Sequence, residues 1–437
     1  MTGRRSAALA AYLGVSRLAG PLAPFLLRRR LLRGREDPLR VGERLGWPGR
    51  ERPEGPLVWL HAASIGEAMS LLPLVSALRE GPHPPVCLVT TGTVTAAARM
   101  ADLLPEGALH QFAPVDTASA VRGFLDHWRP DLAIWVESEF WPRLMWETGA
   151  RRGIPMMLVN ARISARSARG WTRLPVMAAR LLGLFRAIVT QDAASAERLA
   201  ALGADPARIR EGGNLKTLLP PPAADPEMLA TLQAGLEGRP LWLAASTHAP
   251  EEEAVIAAHA QLAAAHAPLL TMLAPRHPER AEAIAAAARA AGLTVARRSA
   301  GQGAPAEAGL WLLDTLGEMG LWYRLAPLAF VGGSLARVGG HNPFEPVALG
   351  AAVLHGPSTE NFAPAYAALA AEGGAVEVAD AESLATALDR LLPPAPGAAE
   401  ARAAMLEAAG AALARERPDL DALVAEARAL LDEGPRR

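Results

Sequence analysis

The chain has 437 residues, 51% of them hydrophobic and 20% charged, with a net charge of −1. That excludes a disordered, fibrous or collagen-like chain and suits two globular domains better than one. A single cysteine, Cys87, excludes a disulfide framework and any cysteine-based zinc site.

Charge is unevenly spread. Residues 1–50 hold eleven Arg against three acidic residues, so a basic head precedes a mildly acidic body and offers a surface to phospholipid headgroups or nucleic acid. Of the 44 Lys and Arg residues only one, Lys216, is lysine, which marks its segment. Residues 6–32 form an apolar run broken by Arg17, Pro21 and Pro24 and leading into Arg28, Arg29 and Arg30. A spanning helix wants about 20 mostly apolar residues, and a secretory signal ends in a small-residue cleavage site. The run is neither. It reads as an interfacial anchor over residues 1–35, or as an ordinary helix packed on the body.

From residue 57 onward short apolar runs alternate with helical spacing. Strands are expected at Leu57–Ala62, Val86–Thr90, Leu109–Ala113, Leu132–Val136, Met156–Asn160, Ala187–Thr190 and Ile209–Glu211. Residues 36–217 form the first domain, and the Pro-rich stretch 218–226 is a linker. The alternation restarts in residues 227–437, with strands at Leu241–Ala245, Leu269–Ala274, Leu293–Ala296, Leu310–Leu313, Leu328–Val331 and Ala352–His355. Two Ala-rich helices, roughly 397–415 and 418–433, close the chain. Such alternation predicts two doubly wound α/β domains with a cleft between them and ligands at the carboxyl ends of strands.

The chemistry-bearing residues fall at those ends. Glu67 follows the first strand in His61-Ala62-Ala63-Ser64-Ile65-Gly66-Glu67; it reads as a general base or as a helix-start carboxylate that favours the dipole. Glu137 and Glu139 lie between Trp135 and Trp141, where a carboxyl can carry a raised pKa. Asn160-Ala161-Arg162-Ile163-Ser164 offers amide, guanidinium and hydroxyl donors, and Lys216 beside the linker suits an anion. In the second domain Arg276 can fork onto a phosphate or carboxylate. Gly332-Gly333-Ser334 and Gly339-Gly340-His341-Asn342-Pro343-Phe344-Glu345 let backbone approach a phosphate, with Asn342 capping a helix. No P-loop, nucleophile elbow or His-rich metal motif is present in the sequence.

Taken in order, Ser64-Ile65-Gly66-Glu67, Glu137-Ser138-Glu139-Phe140-Trp141-Pro142, Asn160-Ala161-Arg162-Ile163-Ser164, Gly213-Asn214-Leu215-Lys216, Ser246-Thr247-His248, Pro275-Arg276-His277-Pro278-Glu279-Arg280 and Gly339-Gly340-His341-Asn342-Pro343-Phe344-Glu345 closely resemble the bacterial 3-deoxy-D-manno-octulosonic acid (Kdo) transferases. The likeness runs over roughly residues 38–390. It implies a GT-B glycosyltransferase that moves Kdo, with inversion, from CMP-Kdo to a lipid A precursor (lipid IVA) in lipopolysaccharide biosynthesis. The place implied is the cytoplasmic face of the inner membrane, with the protein peripheral or N-terminally anchored on anionic lipids. It implies Glu67 as base and Glu137 and Lys216 as transition-state stabilisers. It also implies CMP contacts at Pro275, Arg276, Gly317, Glu318, Met319, Asn342, Pro343, Phe344 and Glu345. No metal, cofactor or nucleic acid is expected. Phe344 and Ile65 stand where the family more often has Leu and Val. The alternatives are a GT-B enzyme with another nucleotide-sugar donor, a phosphorylase with pyridoxal phosphate on Lys216, and a non-catalytic membrane-peripheral scaffold.

Overall fold

The computed structural model describes residues 6–301 and 307–434; Arg4 and Arg5 of the basic head lie outside the described residues. The chain divides into two units, one of residues 1–219 with 417–437, the other of residues 220–416.

The first unit is built on β1 (Leu57–His61), β2 (Val86–Thr91), β3 (Ala108–Phe112), β4 (Leu132–Val136), β5 (Met156–Ala161), β6 (Phe185–Thr190) and β7 (Ile209–Glu211). They form one seven-stranded sheet in the order β3-β2-β1-β4-β5-β6-β7, every pairing parallel. Successive side chains of a strand point to opposite faces, and helices cover both faces, so the strands read as unbroken apolar runs. Leu57, Trp59, Trp135 and Leu158 enter one core, while Val58, Leu60, Ile134, Val136 and Val159 enter the other.

The second unit carries β8 (Leu241–Thr247), β9 (Leu270–Pro275), β10 (Val295–Arg297), β11 (Leu310–Leu312), β12 (Leu328–Val331), β13 (Ala352–His355) and β14 (Ala375–Glu377). Their order is β10-β11-β9-β8-β12-β13-β14, again parallel. Trp242, Ala244, Leu273 and Phe330 fill one face; Leu243, Ala245, Met272 and Ala329 fill the other. In each sheet strand order reverses beside the first strand, between β1 and β4 and between β8 and β12. That is where a doubly wound sheet opens a crevice at its carboxyl edge.

Two features differ from the sequence reading. β14 was not foreseen. The closing helix Leu420–Glu433, expected in the second domain, belongs to the first unit, where Leu423, Val424 and Ala427 pack with Leu71, Leu74 and Leu78. Of the two readings of the basic head, a helix packed on the body is what the structure shows for its first part. The helix Ala7–Leu18 buries Leu9 in the first unit's core. Tyr12 donates to Asp116 at 2.7 Å, and the buried Arg143 guanidinium donates to Ser16 Oγ at 2.7 Å and to the Leu13 carbonyl. The next helix, Ala23–Leu31, buries Ala23 and Leu27 and leaves Phe25 and Leu26 exposed. No single helix among the described residues is long and apolar enough to cross a membrane; these two pass such a test only as a pair bent by 47°.

Candidate active site

In the first unit the site begins where β1 turns into the helix Ile65–Leu78. Ser64 caps that helix, and Glu67 occupies its third position in a capping arrangement. Ser64 Oγ donates to Glu67 Oε1 at 2.7 Å, and the Ala63 amide donates to Oε2 at 2.9 Å. Both bonds favour the carboxylate, yet burial outweighs them. Desolvation, helped by the charges of Glu137 and Glu139, pushes the Glu67 carboxyl up to about 6. The two readings of Glu67 are therefore compatible: the capping bonds orient the carboxyl, and burial sets its basicity.

Across the strand reversal, Glu137 leaves β4 with φ at 55°, and Asn160 lies at the end of β5 with φ at 51°. Non-glycine residues adopt this left-handed region at a cost of order 1–3 kcal/mol, and such strain collects at functional sites. Here it directs the two side chains along the sheet's carboxyl edge. Lys216 Nζ donates to Glu137 Oε1 at 3.0 Å, so the lone lysine meets an anion supplied by the protein itself. Asn160 Oδ1 accepts from the Leu215 amide at 3.0 Å and fixes the Lys216 segment, while its buried Nδ2 has no hydrogen-bond partner among the described residues. Glu139 accepts from Trp141 Nε1 at 3.0 Å, and its carboxyl is raised, chiefly by burial. His61, deeper at the end of β1, is held neutral by burial and stays down at about 3. Glu67, Glu137 and Lys216 thus gather at one sheet edge, as the sequence implied.

In the second unit the sequence missed the residue that organises the edge. Glu251 is wholly buried in the helix Ala249–Leu262, which follows β8. Its carboxylate accepts from five backbone amides: His248 at 2.9 Å, Gly333 at 2.8 Å, Ser334 at 2.9 Å, Leu335 at 2.9 Å and Ala336 at 3.3 Å. The Gly332-Gly333-Ser334 loop, expected to cradle a phosphate, spends those amides on Glu251. Gly332 is required there because a Cβ would stand 2.6 Å from the Ser246 carbonyl oxygen. The spacing His248-x-x-Glu251 repeats Ser64-x-x-Glu67 after each unit's first strand, and this was the available signal.

The expected nucleotide contacts lie on neighbouring loops of the same unit. Pro275 ends β9, and Arg276 is exposed, its amide donating to the Thr247 carbonyl at 2.9 Å. Gly317 has φ at 87°, and Met319 opens the helix Met319–Leu325. The Glu318 carboxylate is occupied by Arg298 Nη2 at 2.6 Å and by the Thr315 hydroxyl, which holds it below the usual carboxylate range. Asn342 Oδ1 accepts from the Phe344 amide at 2.9 Å, and its Nδ2 donates to Glu345 Oε1 at 3.0 Å, fixing a turn that includes the buried Pro343. Burial raises the Glu345 carboxyl. His248 and His341 meet Nε2 to Nε2 at 3.0 Å between nearly parallel rings, so one donates and the other accepts. Among the described residues no cluster of three or more His, Cys, Asp or Glu side chains is disposed to hold a metal ion.

A family model for 3-deoxy-D-manno-octulosonic-acid transferase (kdotransferase) matches residues 39–219. The chain is 34% identical to the 3-deoxy-D-manno-octulosonic acid transferase of Haemophilus influenzae over 362 residues, covering 81% of this chain and 83% of that protein. With the Bordetella pertussis transferase the identity is 39% over 401 residues, covering 89% and 91%. The chain belongs to the Kdo transferase family. It is a glycosyltransferase of the GT-B class. At the level of fold alone, a glycosyltransferase from Rickettsia africae matches with a TM-score of 0.56 and 10% identity over 87% of this chain and 99% of that one.

Proposed function

We propose that the enzyme transfers Kdo from CMP-Kdo to lipid IVA with inversion at the anomeric carbon, without a resident metal or cofactor. The observation that carries this reading is Glu67, a buried carboxyl oriented by two hydrogen bonds and poised at about 6 beside the Lys216–Glu137 pair. At neutral pH such a group is ionised, yet basic enough to take a proton from an attacking sugar hydroxyl.

In the proposed reaction the acceptor oxygen forms a bond to the anomeric carbon while its proton passes to Glu67. The anomeric carbon–oxygen bond to the phosphate breaks, and its electron pair leaves with CMP. Attack from the face opposite the departing phosphate inverts the centre and builds oxocarbenium character. Glu137 supplies negative charge at this edge, and Lys216 holds its carboxylate in place. In the second unit Arg276 meets the departing phosphate, a planar fork suited to its oxygens. The turn Asn342–Glu345 and the start of the helix Met319–Leu325 receive the nucleoside.

The acceptor carries acyl chains, so the enzyme works at a bilayer surface, which we place at the cytoplasmic face of the inner membrane. The N-terminal helices support this placement. Leu18, Leu22, Phe25, Leu26 and Leu32 are exposed beside Arg28, Arg29 and Arg33, joining apolar insertion to attraction for anionic headgroups. The donor assignment is tested by calorimetric titration with CMP and UDP. The reading expects CMP to bind and UDP to compete at least ~10-fold less well, the worth of about 1.4 kcal/mol. Equal binding of UDP supports the alternative of a uridine-linked donor.

A further inference from the structure

Three imidazoles stand together at the carboxyl edge of the second sheet, and no step of the proposed reaction uses them. His248 follows β8, His277 follows β9, and His341 lies after the glycine loop that follows β12. The His248 and His341 rings are stacked at an interplanar angle of 14°, with their Nε2 atoms 3.0 Å apart. The His277 ring meets His248 edge-on, centroids 5.6 Å apart. Both members of the stacked pair are half-buried and held by their backbones. The His248 amide donates to Glu251 Oε2 at 2.9 Å; the His341 amide donates to the Gly332 carbonyl at 3.1 Å, and the His341 carbonyl accepts from the buried Tyr366 hydroxyl at 2.8 Å. Gly333, at φ 71°, makes room for the second ring: a Cβ there would stand 3.0 Å from His341 Nε2. Just before His248, Ser246 is held at φ 54°, and the buried Thr247 hydroxyl has no hydrogen-bond partner among the described residues. Strain of that kind collects at functional sites.

Two Nε2 atoms at 3.0 Å hold one proton between them, one ring donating and the other accepting. A second proton would set N–H against N–H, so a charged pair must turn a donor outward onto an anion. The acids nearby are already engaged. Glu251 is committed to five amides, Glu252 to Arg280 Nη2 at 2.6 Å, and Glu279 faces His277 Nδ1 at 3.4 Å. Burial foremost, with the charges of Arg276 and His277 adding to it, holds His341 down at about 4 and lowers His248 against the pull of Glu251 and Glu252. At pH 7 the pair of the free enzyme is therefore neutral, and an arriving anion is what would charge it.

We propose that His248 and His341 form the subsite for the carboxylate of the donor sugar, and that the pair takes up one proton from solvent as that carboxylate binds. This rests on the reading of the donor as CMP-Kdo. An octulosonic acid activated at its anomeric carbon carries its carboxyl on that same carbon, so the donor presents a phosphodiester and a carboxylate side by side. Arg276 supplies a fork for the phosphate. The carboxylate needs a second cation, and an imidazolium donating N–H to it makes a charge-assisted hydrogen bond. A pair charged only while the sugar acid is present leaves no added cation to retain CMP after transfer. It also discriminates: a neutral sugar on the same nucleotide brings no anion to charge the pair, and so forgoes that bond.

The test uses the full chain as wild type, His248→Gln and His341→Gln, the amide keeping a hydrogen bond but no charge. Two ligands are titrated calorimetrically: CMP-Kdo, and the methyl ester of CMP, a cytidine phosphodiester without a carboxylate. Repeating each titration in buffers of different ionisation enthalpy counts the protons taken up. Wild type should bind CMP-Kdo with uptake approaching one proton at pH 7, and the methyl ester with none. Its affinity for CMP-Kdo should fall by up to ~10-fold per pH unit above neutrality, while that for the methyl ester stays level. Each Gln variant should lose the uptake and ~10-fold of the CMP-Kdo affinity, yet bind the methyl ester as wild type does, a split that a merely structural loss would not give. No uptake by wild type, uptake retained in both variants, or equal losses on the two ligands overturn the subsite. Wild type that binds the methyl ester and gains nothing from the sugar acid overturns the subsite alone. Wild type that binds neither ligand contradicts the donor reading, and the subsite falls with it.

Discussion

Lys216 Nζ stands 3.0 Å from Glu137 Oε1, an ion pair between the chain's lone lysine and a glutamate held in left-handed backbone. The ammonium therefore does not wait free for a substrate anion; it is committed to a carboxylate whose charge bears on the Glu67 carboxyl, the base of the proposed reaction. Lys216→Ala should lower kcat with the fold intact, and Lys216→Arg should rescue poorly, since a planar fork is a poor copy of a compact ammonium. Because the two side chains act as a unit, combining Glu137→Gln with Lys216→Ala should cost much less than the product of the single losses. A double-mutant cycle on kcat measures this, and strict multiplicativity would show that the pair is not coupled in catalysis.

The pH profile follows from Glu67. Its carboxyl is raised to about 6, and only the ionised form accepts a proton, so kcat/KM should fall as pH drops through about 6. The Glu137 charge contributes to that rise. Glu137→Gln removes the charge, stabilises the Glu67 carboxylate, and should move the acid limb to lower pH. A limb that stays in place would detach Glu137 from the base.

Glu251 makes a stability prediction. Glu251→Ala leaves five amides without their acceptor in a buried loop. Hydrogen bonds to charged groups are worth ~1.5–3 kcal/mol, so a loss of at least ~3 kcal/mol is expected even without additivity. Hydrogen exchange reads this locally: the amides of Gly333, Ser334 and Leu335 should lose protection, while those of β1 and β4 keep theirs. CMP affinity should fall with them. Unchanged protection would mean that the loop holds its shape without the carboxylate.

Much of this architecture was legible because both faces of a parallel sheet are covered, so Leu57–His61 or Leu132–Val136 stands out as a short apolar run. β14 was not, since Ala-Val-Glu after Gly374 has no such run. The helix Leu420–Glu433 shows its apolar stripe in sequence, but a stripe does not say which core it enters. Glu67, Glu137 and Lys216 were legible as chemistry at strand ends. Glu251 was not, because a glutamate in the first turn of a helix looks the same whether solvated or buried beneath a glycine loop.

The buried contacts of the head govern how membrane binding should be tested. Removing residues 1–35 would strip Leu9 from the core and leave Arg143 and Asp116 without Ser16 and Tyr12. Substituting the exposed side chains is cleaner. Phe25→Ser with Leu26→Ser should weaken vesicle binding ~100-fold or more, at ~1.5–3 kcal/mol per apolar side chain, with CMP binding unchanged. Salt should weaken the remaining attraction, because charges at a surface are screened over ~8 Å at physiological ionic strength. Undiminished sedimentation of the double variant would move the anchor elsewhere.

Mass spectrometry of the lipid after incubation with CMP-Kdo and lipid IVA is the most direct measurement, with wild type and Glu67→Gln side by side. Wild type should add Kdo and release CMP. The amide keeps the shape of the carboxyl but cannot accept the proton, so Glu67→Gln should slow transfer ~10²–10⁴-fold while still binding CMP. Near-normal transfer by the folded Gln variant, or no Kdo adduct with wild type, would contradict the account.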